Sequence, residues 1–169
     1  LGAIGAPVAA RLAAAGYHVR GWARTPREID GVTTFSGSNS RREFLDTLDV
    51  LINLLPLTSA THGVLCKELF QCMAKGSALI NCGRGQHLNA NDLQQALASG
   101  QLRGALLDVF EEEPLPSDSL LWRTPGVWVT PHMASAASDL CIARQVADNV
   151  SRMAQGLELN NLVNPELGY

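Results

Sequence analysis

The chain has no C-x-x-C pair and no zinc-like spacing among its four cysteines, Cys66, Cys72, Cys82 and Cys141. That pattern supports neither a bound metal nor a disulfide framework, and reduced thiols in a cytoplasmic protein are the expectation. Long hydrophobic runs are also missing. The most apolar stretch, Val50 to Leu57, is interrupted by Asn53 and Pro56 and falls far short of the roughly 20 residues of a membrane-spanning helix. Nor is there an excess of positive charge: 13 basic residues against 16 acidic ones, a net charge of −3, give no electrostatic reason to expect nucleic acid as a partner. A Gly-x-Ser-x-Gly elbow, which would point to a serine hydrolase, does not occur.

What is present is an alternation of helical and extended patterns over 169 residues, a length suited to one domain. Ile4, Val8, Ala9 and Leu12 recur at helical spacing before Gly16, and Tyr17 to Trp22 alternates as a strand does. Gly31 to Ser40 is polar and glycine-containing and reads as a loop, with a short helix over Arg41 to Leu48. Asp49 to Leu55 is nearly continuous in apolar residues, the pattern of a parallel strand buried on both faces. A short helix is expected between Thr58 and His62, and another over Lys67 to Met73. Further strands are expected at Ser77 to Cys82, Leu102 to Phe110 and Val127 to Thr130, with helices at Asp92 to Ala98, capped by Asn89 or Asn91, and at Ser138 to Gln155. Such alternation predicts an α/β fold built on a doubly wound parallel sheet.

Gly2-Ala3-Ile4-Gly5 before the first helix fits the last two glycines of G-x-G-x-x-G, where the backbone approaches a pyrophosphate at a helix N-terminus. The first glycine and the strand feeding it would lie upstream of Leu1, so a segment preceding Leu1 is the expectation. After the second strand, an acidic residue would accept an adenine ribose hydroxyl, whereas arginine accommodates a 2′-phosphate. This chain has Arg24, Thr25 and Arg27, and no carboxylate before Glu28. NADPH is therefore expected in preference to NADH.

Three polar residues stand at or just beyond successive strand ends: Arg84 in Gly83-Arg84-Gly85, one of the carboxylates Glu111-Glu112-Glu113, and His132 in Pro131-His132. An arginine suits bidentate binding of a carboxylate. An imidazole beside a carboxylate suits proton donation. Each could singly be an ordinary surface residue; at successive strand ends in this order they read as a catalytic set. His18, His62 and His87 read as exposed or locally bonded side chains, and Trp22, Trp122 and Trp128 as packing residues.

Taken together, Leu1-Gly-Ala-Ile-Gly5, Leu54-Leu-Pro-Leu-Thr58, Ile80-Asn-Cys-Gly-Arg-Gly85, Leu107-Asp-Val-Phe-Glu-Glu-Glu-Pro-Leu115 and Pro131-His132 resemble the D-isomer-specific 2-hydroxyacid dehydrogenases. Trp22-Ala-Arg-Thr25 and Asn164-Pro-Glu-Leu-Gly-Tyr169 are similar to the glyoxylate/hydroxypyruvate reductase group within that family. The resemblance implies a Rossmann-like NAD(P)-binding domain over residues 1–156, with 157–169 a tail returning to a substrate domain. It implies that Arg84 holds the substrate carboxylate and carbonyl, that His132 gives and takes the proton, and that Glu113, which immediately precedes Pro114-Leu115, pairs with His132. On the cofactor side it implies Leu55, Pro56, Thr58, Cys82, Gly83, Arg84, Asp108 and His132 beside Gly2 to Gly5, Arg24, Thr25 and Arg27, with Asp108 near the nicotinamide carboxamide. The stretch after the histidine departs from the family pattern, with Met133-Ala134 where Ile-Gly is usual. The implied activity is NADPH-dependent reduction of glyoxylate or hydroxypyruvate, with NADH possible and a homodimer expected for the full-length form. A nucleotide-holding module without turnover is the alternative.

Overall fold

The computed structural model describes residues 1–135 and 137–163. In chain order its elements are α1 (Gly5–Ala14), β1 (Val19–Ala23), β2 (Val32–Ser36), α2 (Arg41–Leu45), β3 (Val50–Asn53), α3 (Lys67–Gln71), β4 (Ser77–Asn81), α4 (Ala90–Ala98), β5 (Leu102–Leu107), β6 (Val127–Val129) and α5 (Asp139–Ala154). Local chemistry sets several boundaries. The Asn89 side chain accepts from the backbone N–H groups of Asn91 and Asp92 and starts α4, and Ser138 does the same for α5 through Cys141. Asn164 to Tyr169, which carries part of the resemblance, lies outside the described residues, as does the end of the tail.

All strand pairs among the described residues are parallel. β1 pairs with β2, and β3-β4-β5-β6 form a separate four-stranded sheet. Among the described residues no strand bridges β1 and β3; beside β1, the Leu1 ammonium donates to the Trp22 carbonyl at 3.2 Å. The register of the larger sheet aligns Asn53, Asn81, Leu107 and Val129 in one row. The residues that follow this row leave the sheet at its carboxyl edge, where open α/β sheets place ligands.

The core gathers on one face of that sheet, with Leu51, Leu79, Leu102 and Leu107 packed among Leu45, Leu65, Leu69, Phe70, Met73 and Leu93. Burial of these side chains from α2 to α4 supplies the main driving force, about 25 cal/mol per Å² of apolar surface.

Several expectations are corrected here. β2 lies within the stretch expected to be loop: its threonines and serine hide the strand signal, yet all five residues pair with β1. Thr58 to His62 forms turns rather than a helix, because the Thr61 hydroxyl bonds to the Pro56 carbonyl and receives the Thr58 N–H. β3 is buried on one face only, with Val50 and Ile52 more than a third exposed, since no described helix covers its other side. The expected strand to Phe110 ends at Leu107. Trp122 and Trp128 are largely exposed, although Trp128 covers Gly104, whose missing Cβ would lie 2.6 Å from the indole.

Candidate active site

Arg84 sits one step past Asn81, Cys82 and Gly83, on an extended backbone that enters a single 3-10 turn, Gly85–His87. Two glycines make this path possible for different reasons. A Cβ on Gly83 would fall 2.6 Å from Asn53 Nδ2 and 2.8 Å from His87 Nδ1, and a Cβ on Gly85 would fall 1.8 Å from the carbonyl carbon of Phe110. Gly85 thereby lets the Arg84 loop lie directly against the Phe110-Glu111 backbone that leads to Glu113. Arg84 itself is exposed, and its Nη1 donates to the Gly83 carbonyl at 2.7 Å.

Glu113 and His132 meet: Nδ1 of the imidazole is 2.7 Å from Oε2 of the carboxylate. The second carboxylate oxygen of Glu113 accepts from the Phe110 N–H at 2.9 Å, which fixes the side chain at both ends. The bond to His132, then that to Phe110, together with the charges of His132 and Arg84, hold the Glu113 carboxyl below its usual range. Arg84 is thus close enough to act electrostatically on the Glu113 carboxylate. With Nδ1 engaged by Glu113, Nε2 is the imidazole nitrogen left for chemistry at the edge.

Asp108 is tied to the turn that carries His132. Its side chain is 1% exposed, and its carboxylate accepts from the Thr130 hydroxyl at 2.5 Å and from the backbone N–H groups of Met133 and Ala134 at 2.9 Å each. It therefore clamps the turn in which His132 adopts a left-handed φ of 51°, a conformation that costs a non-glycine residue free energy. Alanine at 134 leaves that clamp intact. Burial pushes the Asp108 carboxyl up, but the bonds from Thr130, Ala134 and Met133 outweigh it and the net direction is down. A depressed folded value means that the clamp is complete above the ordinary carboxylate range near ~4 and is lost as pH falls through the folded value. Asp108→Ala is expected to lower stability by roughly 1–3 kcal/mol by leaving donors unmatched, and to lower turnover by freeing His132. Denaturant unfolding beside steady-state rates checks this; an unchanged unfolding midpoint would remove Asp108 from the role.

The residues expected to hold a dinucleotide lie around the same edge and at the end of β1. The N-terminus of α1 has no side-chain cap, and at Gly2 and Gly5 the space a Cβ would take is open, so the backbone there can admit a pyrophosphate. Ala3 and Ile4 are exposed, as are Arg24, Thr25 and Arg27 just beyond β1. Leu55 and Thr58 are partly buried in the loop after β3, with Pro56 exposed between them. Cys82 is half-buried, and burial, then the Asp108 carboxylate, push its thiol up, so it stays protonated and is no nucleophile. No group of three or more His, Cys, Asp or Glu among the described residues is arranged for a metal, and no described helix is long and apolar enough to cross a membrane.

The residue that sequence reading missed is His87. It is 0% exposed, neither a surface side chain nor a merely local one, and its ring contacts Asn53 and Pro56 as well as Arg84. Beside Arg84, its partners are 34 and 31 positions away in the chain, so no local pattern announced them; the only signal was a histidine three residues after the candidate arginine.

Residues 1–134 match the family described as D-isomer specific 2-hydroxyacid dehydrogenase, NAD binding domain. A glyoxylate/hydroxypyruvate reductase A of Serratia proteamaculans is 45% identical over 168 residues, covering 99% of this chain and 54% of the relative. The chain therefore spans about half the length of the curated relatives it matches. A D-isomer specific 2-hydroxyacid dehydrogenase from Xanthobacter autotrophicus, solved in complex with NADPH and MES, superposes with a TM-score of 0.95 at 41% identity, over 100% of this chain and 70% of the other. An NADPH-dependent glyoxylate/hydroxypyruvate reductase from Sinorhizobium meliloti, solved with NADP and sulfate, gives 0.92 at 39% identity, over 100% and 55%.

Proposed function

The chain belongs to the D-isomer specific 2-hydroxyacid dehydrogenase family, and on that premise we propose that it forms the NADP(H)-binding part of a reductase that converts a small 2-keto acid, glyoxylate or hydroxypyruvate, into the 2-hydroxy acid. The observation that carries the reading is the Glu113-His132 pair at 2.7 Å, with the Arg84 charge felt by the Glu113 carboxylate at the carboxyl edge of a parallel sheet. The named relative and the two solved structures with NADPH or NADP agree with it. Residues 1–156 form the cofactor domain in this proposal, and the segment from 157 onward returns toward substrate-binding elements.

The backbone of Gly2 to Gly5 would receive the pyrophosphate, and Arg24, Thr25 and Arg27 the 2′-phosphate, while Leu55, Pro56, Thr58, Cys82 and Gly83 would line the nicotinamide side. When bound, the nicotinamide supplies a hydride to the carbonyl carbon of the substrate. Arg84 holds the substrate carboxylate through its guanidinium fork and polarises the adjacent carbonyl. His132 donates the Nε2 proton to the oxygen as negative charge develops on it. Glu113 accepts from Nδ1 and fixes the ring so that Nε2 faces the edge. In the oxidative direction the same imidazole takes the proton back.

Following NADPH consumption with glyoxylate and with hydroxypyruvate, alongside NADPH binding by fluorescence, tests the proposal. Turnover of either acid supports it, binding without turnover favours a nucleotide-holding module, and no binding sinks both. Arg24→Ala is expected to weaken NADPH roughly 10- to 100-fold, the loss of a charge-assisted contact worth about 1.5–3 kcal/mol, and to leave NADH within about twofold. Parallel titrations check it, and equal losses for the two dinucleotides would argue against a 2′-phosphate site at Arg24.

A further inference from the structure

We propose that His87 is a positioning residue for substrate binding: with its ring proton on Nε2, it fixes the main chain of Arg84 and ties the arginine loop to the Pro56 loop across the carboxyl edge. The inference rests on the reading of Arg84 as the cation that holds the substrate carboxylate.

The hydrogen-bond geometry assigns the ring. Nδ1 lies 3.0 Å from the Arg84 backbone nitrogen and 2.9 Å from Asn53 Nδ2. A backbone N–H can only donate, so Nδ1 must accept. The ring proton therefore sits on Nε2, which faces the Pro56 carbonyl at 3.3 Å. Asn53 in turn donates to Asn81 Oδ1 at 2.9 Å and accepts from the Leu55 N–H at 3.3 Å. Asn81 accepts from the Gly83 N–H at 3.2 Å and donates through Nδ2 to the Arg84 carbonyl at 3.3 Å. Both main-chain polar groups of Arg84 are thus held, one by His87 and one by Asn81, inside a network whose three side chains are 0%, 0% and 4% exposed.

A second proton on the ring would have to point at two donors. The groups facing His87 from packed elements offer it no relief: Asn53 and Asn81 from β3 and β4 are uncharged, and the charged or titratable neighbours, Arg84 and His62, repel a cation. Burial first, and then these two residues, lower its pKa against the opposing bond to Pro56. The network closes around the loop at the point where a Gly83 side chain would collide with it. A buried network with every member satisfied specifies one geometry, and the geometry specified here is that of the residue proposed to bind substrate. Because Pro56 and Leu55 belong to the loop on the other side, His87 also sets the spacing between the two loops.

His87→Asn and His87→Leu separate positioning from packing. Asparagine can present Oδ1 where Nδ1 stood and keep the Arg84 N–H bonded, whereas leucine fills the space without an acceptor. For the protein assayed with NADPH and glyoxylate, His87→Leu is expected to raise KM for the acid roughly 10- to 100-fold, the scale of an ångström of misplacement, with a smaller change in kcat and NADPH affinity within about twofold. His87→Asn is expected to recover most of that KM. The second arm is independent of turnover: nitrogen NMR of the wild-type ring at about pH 7 should show an unprotonated Nδ1 and a protonated Nε2, the neutral tautomer that the hydrogen bonds assign. The Arg84 amide resonance should move in His87→Leu and return in His87→Asn. A protonated Nδ1, an Arg84 amide indifferent to His87, or an unchanged KM in a folded His87→Leu protein would each overturn the inference. If the wild type turns no keto acid over, the proposed function fails while the NMR arm still decides what His87 does to Arg84.

Discussion

His132→Ala is expected to lower keto-acid turnover roughly 10²–10⁴-fold, the range supplied by a positioned general acid, with NADPH affinity nearly unchanged. The expectation follows from the division of labour at the edge. His132 is exposed on a turn beyond β6, so the substitution removes little buried surface and its effect falls on proton transfer. Glu113→Gln distinguishes the acid from its partner. It keeps the shape and an acceptor but removes the negative charge that sits 2.7 Å from Nδ1, so turnover should fall, though by less than in His132→Ala. Rate profiles against pH for both variants, with NADPH binding measured separately, check the assignment. A His132→Ala protein that loses its cofactor but keeps its rate per bound enzyme would show that the imidazole belongs to the binding site and not to the chemistry.

The second large effect is expected at a residue with no side chain. Gly85→Ala would place a Cβ 1.8 Å from the Phe110 carbonyl carbon and 2.1 Å from the Glu111 nitrogen, contacts with a single backbone peptide that no rotamer can relieve. Either the Arg84 turn or the Phe110 to Glu113 loop must move, and each carries one member of the proposed catalytic set. Overpacking of this kind typically costs about 1–3 kcal/mol, which for a chain of this size is a fall of roughly 2–10 °C in melting temperature. Turnover should fall further than stability does, because Glu113 is fixed to the Phe110 N–H at 2.9 Å and shifts with it. Thermal melts and turnover of the same preparation check this. A Gly85→Ala protein with the wild-type melting temperature would mean that the two loops do not pack as described.

Between them these variants divide what was legible in the chain from what was not. The parallel α/β alternation could be read because buried strands announce themselves as apolar runs: Val50 to Asn53, Ser77 to Asn81 and Leu102 to Leu107 all lie within segments read as strands. The candidates Arg84 and His132 were legible for a related reason, since a polar residue just after such a run marks a strand end, whereas the family resemblance was needed to choose Glu113 among three neighbouring carboxylates. β2 was not legible. Its sequence Val-Thr-Thr-Phe-Ser, set between glycines, has the composition of a loop, and pairing with β1 is what makes it a strand. The exposed outer face of β3 was equally hidden, because an apolar run states a need for cover without saying whether cover is supplied. Asp108 was singled out by the family resemblance as a cofactor-side residue, and its bonds to the His132 turn were not legible in the chain.

From the sequence by itself, then, came the fold class, the family and the three chemical groups at the strand ends, because periodicity and motif spacing are properties of neighbouring residues. Only the tertiary structure decided how those groups are held. The Asp108 clamp joins residues 22 to 26 positions apart, the His87 network joins residues 31 to 34 apart, and the need for glycine at 85 arises from backbone 25 residues further on. Hydrogen bonds and steric contacts between distant segments exist only once the parallel register has brought the strand ends into one row, and no local pattern of residues can encode which of them will then touch.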